Sequence, residues 1–295
     1  MYIIYNKMTT SKYTENCNIE IAKKLSNISI EDYLRLCDKD NSEENQMDCM
    51  SWLKIMRRYS KEIVKNGKVI TNYKFAKNCE EGRLYAEGDS LQLIKREFRG
   101  ILSDNIYYDF DMINCHPVIL NHLCKVNKIE FKSESEDKLT KLKALNEYCI
   151  NRESRIEKLC EDDKLTRSEA KLLFIKSINT EFKVDKVNGK KIKNKFFIQF
   201  DSDIKAIMPQ LMEKCPDEYK IIKKSEKKNI KGKFMSYICR KYESIILNKV
   251  CEKYDADVLM YDGFMIKCNK VENIETTITD LNEITKEYGV MWSNK

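Results

Sequence analysis

Three aspartates have the type and spacing for metal-assisted phosphoryl chemistry. Asp109 and Asp111 lie in a short alternating stretch, Ile106 to Met112. Side chains alternate along a strand, so both acids fall on one face and Tyr108, Phe110 and Met112 on the other. Two carboxylates side by side on a half-buried strand repel each other unless a cation or a base sits between them. The third acid, Asp262, precedes Gly263 between the apolar runs Val258-Leu259-Met260 and Phe264-Met265-Ile266. Asp-Gly between such runs signals a hairpin, and Gly263 is expected to supply a positive φ in its turn. A hard divalent ion with oxygen ligands from two neighbouring strands accounts for the set. Two-metal phosphoryl transfer uses such a pair, with ions roughly 3.5–4 Å apart. Strand-end and turn aspartates facing water fit the spacing equally well.

A second constellation is basic. Thr166-Arg167-Ser168-Glu169 has the form of a capping box, Thr166 as N-cap and Glu169 three residues on. The helix it opens is expected to run to about Ile178, with Arg167, Lys171, Phe174 and Ile178 on one stripe. Two cations in the first turns, added to the positive helix end, attract a triphosphate. An ordinary surface helix with solvated cations has the same sequence pattern.

The surrounding elements must position these groups. Residues 1 to 80 read as mainly helical, with Ile30, Tyr33, Leu34 and Cys37, then Trp52, Ile55, Met56 and Tyr59, at helical spacing. Residues 81 to 123 read as an irregular glycine-bearing segment, a helix-like stretch and the acidic strand. Residues 124 to 244 read as mostly helical and very basic. A helix from about 233 to 253 leads into the hairpin, and an amphipathic helix is expected over 271 to 290.

Composition narrows the function classes. The chain of 295 residues is 42% hydrophobic and 34% charged, a globular balance. No apolar run reaches membrane-spanning length, and the N-terminus lacks a secretory pattern, so an intracellular, cytoplasmic or nuclear location is expected. The 12 cysteines include no Cys-x-x-Cys pair, and there are 2 histidines. Reduced core thiols are therefore expected, not a disulfide framework or a zinc site. A net charge of +7 hints at a polyanionic partner.

Four segments, in order, resemble the family A DNA polymerases and their relatives, the single-subunit phage-type RNA polymerases. Gly82-Arg83-Leu84, six residues, then Leu91-Gln92-Leu93-Ile94 looks like the family's T-G-R-L-S-S-x-x-P-N-L-Q-N-I segment. Asp111-Met112-Ile113-Asn114-Cys115-His116-Pro117 looks like motif A. Its Asp-x-x-polar-x-x-Pro spacing also resembles the family B form. Arg167-x-x-x-Lys171 is similar to the opening of motif B, with Asn179 and Thr180 where the family has Tyr-Gly. Tyr261-Asp262-Gly263 stands at the place of His-Asp-Glu in motif C.

The resemblance implies an α+β fold of the right-hand polymerase kind, with an antiparallel palm sheet, helical fingers and a reduced helical thumb. The thumb-like region would be 1–80, the palm 81–123 and 245–295 with its hairpin at 257–266, and the fingers 124–244 with motif B at 167–180. It implies a template-directed polymerase, with DNA polymerase favoured, using two Mg2+ ions or Mn2+ in their place. Asp111 and Asp262 would hold the metal, helped by Asp109, and Lys171 would join the catalysis. Arg167, Lys171, Asn179, Asn114 and His116 would bind the triphosphate; Arg83, Gln92, Arg96 and Arg99 would grip primer and template. The implied partners are a DNA or RNA primer-template, nucleoside triphosphates and a helicase or other replication protein. The alternative is a catalytically degenerate palm that binds nucleic acid as a replication accessory, and a metal-dependent nuclease could use the same acids.

Overall fold

The computed structural model describes residues 11–76, 81–129, 143–225 and 228–295. The fold is α+β, with antiparallel sheets. The chain divides into two compact units.

The first unit draws on Met1–Ile113, Ser244–Thr285 and Met291–Lys295. Its early part holds β1 (Tyr13–Glu15), α1 (Ile19–Leu25), α2 (Ile30–Leu36), α3 (Glu43–Asn66), β2 (Val69–Phe75), β3 (Leu84–Glu87), α4 (Arg96–Ser103) and β4 (Tyr107–Met112). Ser42 caps α3 by accepting from the Asn45 amide, and Gly67 closes it in the left-handed conformation at φ 69°. Leu53, Met56, Tyr59 and Ile63 recur on the inner side of α3 and are buried, whereas Trp52 is 43% exposed. The inner stripe therefore runs one residue past the expected Trp52. It packs with Leu25, Tyr33, Phe98, Leu102, Val258 and Met265 into one core, where Tyr33 stacks on Phe98 at 4.6 Å.

Two sheets organise this unit. One has the order β1-β2-β3. Its strands β2 and β3 lie where the sequence reads as helical or irregular. The other contains β7 (Val258–Leu259), β8 (Gly263–Lys267) and β9 (Trp292–Asn294), in the order β7-β8-β4-β9. The acidic strand is thus central, with Asp111 opposite Gly263 on one side and Ser293 on the other.

The second unit draws on Asn114–Glu243 and Lys286–Val290. It contains α5 (Cys115–Val126), α6 (Lys143–Ile150), α7 (Arg152–Asp163), α8 (Arg167–Asn179), the short pair β5 (Lys186–Val187) and β6 (Lys190–Lys191), α9 (Lys195–Lys214), α10 (Pro216–Ser225) and most of α11 (Ile230–Lys253). The remaining helix, α12 (Ile274–Ile284), belongs to the first unit and is shorter than the expected 271 to 290. An aromatic core holds the second unit: Tyr148 stacks on Phe174 at 4.0 Å, and Phe197 and Phe200 meet Phe174 edge-on. Among the described residues, no helix is long and apolar enough to cross a membrane.

Candidate functional site

The site is built on β4 and the hairpin of β7 and β8. Met260 donates its amide to the Gly263 carbonyl at 2.9 Å, closing the turn that carries Asp262. Met112 donates to the Asp262 carbonyl at 2.9 Å, which ties the turn to β4. Gly263 is not among the residues with positive φ, so the expected turn conformation is corrected. Its role is close approach instead: a Cβ there would lie 2.2 Å from the Phe110 carbonyl oxygen.

This approach brings two acids together. The carboxyl of Asp262 lies within hydrogen-bonding reach of that of Asp111. Burial, then the charge of Asp262, pushes Asp111 up to about 7, against the pull of Lys295. The Lys295 ammonium forms an ion pair with Asp111, and the Lys295 amide donates to the Asp109 carbonyl at 2.9 Å. A cation beside the repelling pair is electrostatically favoured, and an ammonium already occupies that role.

Asp109 differs from its neighbour. Arg99 Nη2 stands 3.6 Å from its Oδ2, with both side chains largely buried. Burial pushes the Asp109 carboxyl up, and Arg99, Lys295 and Arg96 pull it back. Among the described residues no group of three or more His, Cys, Asp and Glu is placed to hold a metal. Arg99 is the partner of Asp109, and Asp111 and Asp262 form the acid pair.

Around the pair lie basic and aromatic groups. The Arg83 guanidinium sits over the Tyr261 ring, 4.8 Å from its centroid. Tyr85 adjoins Tyr261 at 5.9 Å with rings tilted by 58°. Arg96 is exposed, while Arg99 also donates to the Ile94 carbonyl at 3.2 Å. Gln92, expected at primer and template, is 4% exposed. Its amide is taken up by Leu84, Ala86 and Leu259.

The remaining candidates belong to the second unit. The capping box at Thr166 and Glu169 forms as the sequence indicates. Phe174 and Ile178 are buried on α8, Lys171 is half-buried, and Arg167 is exposed in an ion pair with Glu153. Asn179 closes that helix, and its carbonyl accepts from Asn229 Nδ2 at 2.8 Å. Gly232 permits this: a Cβ there would lie 2.3 Å from the same carbonyl oxygen. Asn114 has φ 53° and donates from Nδ2 to the Tyr148 carbonyl at 3.3 Å. His116 Nε2 lies 3.1 Å from an oxygen of the buried Glu243. The partners Lys295, Tyr85 and Gly232 escape sequence reasoning, because each joins segments distant in the chain.

No family model matches the chain. It is similar to a protein of the Sputnik virophage named "Putative helicase V13", with 26% identity over 290 residues. The match covers 92% of this chain and 35% of that relative, so the chain spans about a third of the relative's length. This finding overturns the expected function, enzyme class and polymerase keywords, because the relative is named a helicase and not a DNA polymerase.

Proposed function

We propose that this chain is a nucleic-acid-handling module of a helicase-type replication protein, in which Asp111 and Asp262 share a divalent cation with a nucleic-acid phosphate. The carrying observation is the pair itself: two half-buried carboxyls held within hydrogen-bonding reach, with Asp111 raised to about 7. Such a pair suits Mg2+, which is commonly bound by one or two carboxylates together with phosphate oxygens and waters, not by an all-protein cage. The cation would take the place of the Lys295 ammonium beside Asp111, neutralise the pair and draw a phosphate towards it. The antiparallel β8-β4 pairing supports a palm-type element. The assignment of fingers and thumb belongs to the same proposal.

The groups beside the pair fit nucleic acid. Arg83 and Arg96 offer charge to backbone phosphates, and Tyr85 and Tyr261 offer ring faces to bases. The name of the relative supports a partner of this kind. The chain contains no Gly-x-x-x-x-Gly-Lys-Ser/Thr segment, the loop that cradles nucleotide phosphates in many motors. Nucleic-acid handling, and not strand separation, is therefore what the proposal assigns to these residues.

Fluorescence anisotropy of a labelled oligonucleotide tests this reading. Mg2+ should tighten binding to the unmodified protein and leave Asp262→Asn unaffected. Absence of nucleic-acid binding, or equal binding by both proteins with Mg2+ and with chelator, would overturn it.

A further inference from the structure

The hairpin that carries Asp262 begins on an edge strand. Among the described residues, β7 pairs with β8 on one side only. Its outward backbone groups are buried and need partners, since an unpaired buried amide or carbonyl is costly. They find side chains. Gln92 Nε2 donates to the Leu259 carbonyl at 3.0 Å. The Leu259 amide donates to the Tyr73 hydroxyl at 3.2 Å. Both main-chain groups of one residue, three positions before Asp262, are thus held by side chains from β2 and from the segment after β3.

Each holder is itself fixed. The Gln92 amide also donates to the Leu84 carbonyl at 3.2 Å and accepts from the Ala86 amide at 2.9 Å. The side chain keeps no rotamer freedom, and O and N cannot be exchanged without losing these bonds. Tyr73 OH lies 3.4 Å from Ser90 Oγ. Ser90 donates to Glu15 at 2.6 Å, and the Leu91 amide and Tyr59 hydroxyl donate to the other Glu15 oxygen at 2.7 and 3.0 Å. Ser90 therefore accepts from Tyr73, and a directed chain runs from the Leu259 amide through two hydroxyls to a buried carboxyl. Such a network fixes one geometry because each member has a single compatible partner set.

The geometry points to Gln92 and Tyr73 as positioning residues that clamp Leu259 and so set where Asp262 meets Asp111. Neither touches the acids; they act through the hairpin backbone. This inference rests on the reading of the acid pair as a cation site, but its structural half stands apart from that reading. A few tenths of an ångström matter at such a pair, because ligands must be held by supporting shells to bind a cation well.

The experiment combines amide exchange with Mn2+ titration on the full chain. In Tyr73→Phe, exchange at Leu259 should rise roughly 3- to 10-fold, as one hydrogen bond is removed. In Gln92→Met, which keeps the side-chain bulk, exchange through Leu259–Gly263 should rise and Mn2+ affinity should fall by roughly 10-fold or more. Gln92→Glu keeps the acceptor for Ala86 but loses the donor to Leu259, so it should behave as Gln92→Met. Leu53→Ala, in the helical core of the same unit, controls for general loss of stability and should leave Mn2+ affinity unchanged. Unaltered hairpin exchange in the Tyr73 and Gln92 variants would overturn the clamp. So would an affinity loss in Leu53→Ala equal to that in Gln92→Met. If the unmodified protein binds no Mn2+, the cation reading fails, while the exchange arm still decides whether the clamp exists.

Discussion

Asp111 faces Gly263 in the register of β4 and β8, and the missing side chain at 263 lets the two strands approach closely beside Asp262. With a Cβ 2.2 Å from the Phe110 oxygen, Gly263→Ala must push β8 away from β4. A loss of about 1–3 kcal/mol is expected, as for other overpacked sites, together with weaker Mn2+ binding. Urea denaturation read against the unmodified protein measures the first; unchanged stability would show that the strands tolerate the methyl group.

The pH dependence follows from Asp111. Its folded carboxyl is raised to about 7, whereas an unfolded aspartate ionises near ~3.9. Between those values the folded state binds the extra proton. Stability without metal should therefore fall as pH rises from about 4 to about 7, by an upper bound of roughly 3–4 kcal/mol. Asp262→Asn removes the neighbouring charge, so its profile over this window should be flatter. Thermal melts of both proteins in chelator, from pH 4 to 8, decide the point; parallel profiles would contradict it.

Arg99 and Asp109 form a mostly buried pair. Removing one partner strands a charge beside Asp111, so Arg99→Met alone should cost about 1–3 kcal/mol, below the ~3–5 of fully buried pairs because some exposure remains. The double change Arg99→Met with Asp109→Leu should recover most of that loss. A double-mutant cycle by urea denaturation checks this, and simple additivity of the two single changes would exclude the pairing.

Much of this site is legible in the sequence, for reasons of local physics. Alternation in Tyr107–Met112 marks β4, Asp-Gly marks the hairpin, and Thr166 with Glu169 marks the start of α8. Each signal is contained within a few residues. β2 and β3 are not legible, because Val69–Phe75 follows a long helix without a strong turn signal beyond Gly67, and Leu84–Glu87 is short. The part played by Gln92 is hidden for a different reason: its partner Leu259 lies far along the chain, and only the fold joins them. Arg99 and Lys295 are likewise ordinary surface cations in sequence and counter-charges in space.

The lysines of the second unit carry a separate expectation. Lys190, Lys191, Lys193, Lys195, Lys223, Lys224, Lys228 and Lys231 are exposed and Lys233 is half-buried; Lys227, part of the same run, lies outside the described residues. If they meet backbone phosphates, every lysine–phosphate pairing that a Lys→Gln change removes lowers the slope of log affinity against log salt by about 0.7–0.9. Oligonucleotide titrations at several salt concentrations measure that slope. A slope unchanged by neutralising Lys190, Lys191, Lys193 and Lys195 together would show a solvated face.

The central claim is that Asp111 and Asp262 form one cation site. Mn2+ binding followed by electron paramagnetic resonance, at a pH above 7 where Asp111 is ionised, tests it most directly. The unmodified protein should bind Mn2+ at a site that Asp111→Asn and Asp262→Asn each abolish, while Asp255→Asn, a change at an exposed acid, leaves it intact. Equal Mn2+ binding by all four proteins would contradict the claim.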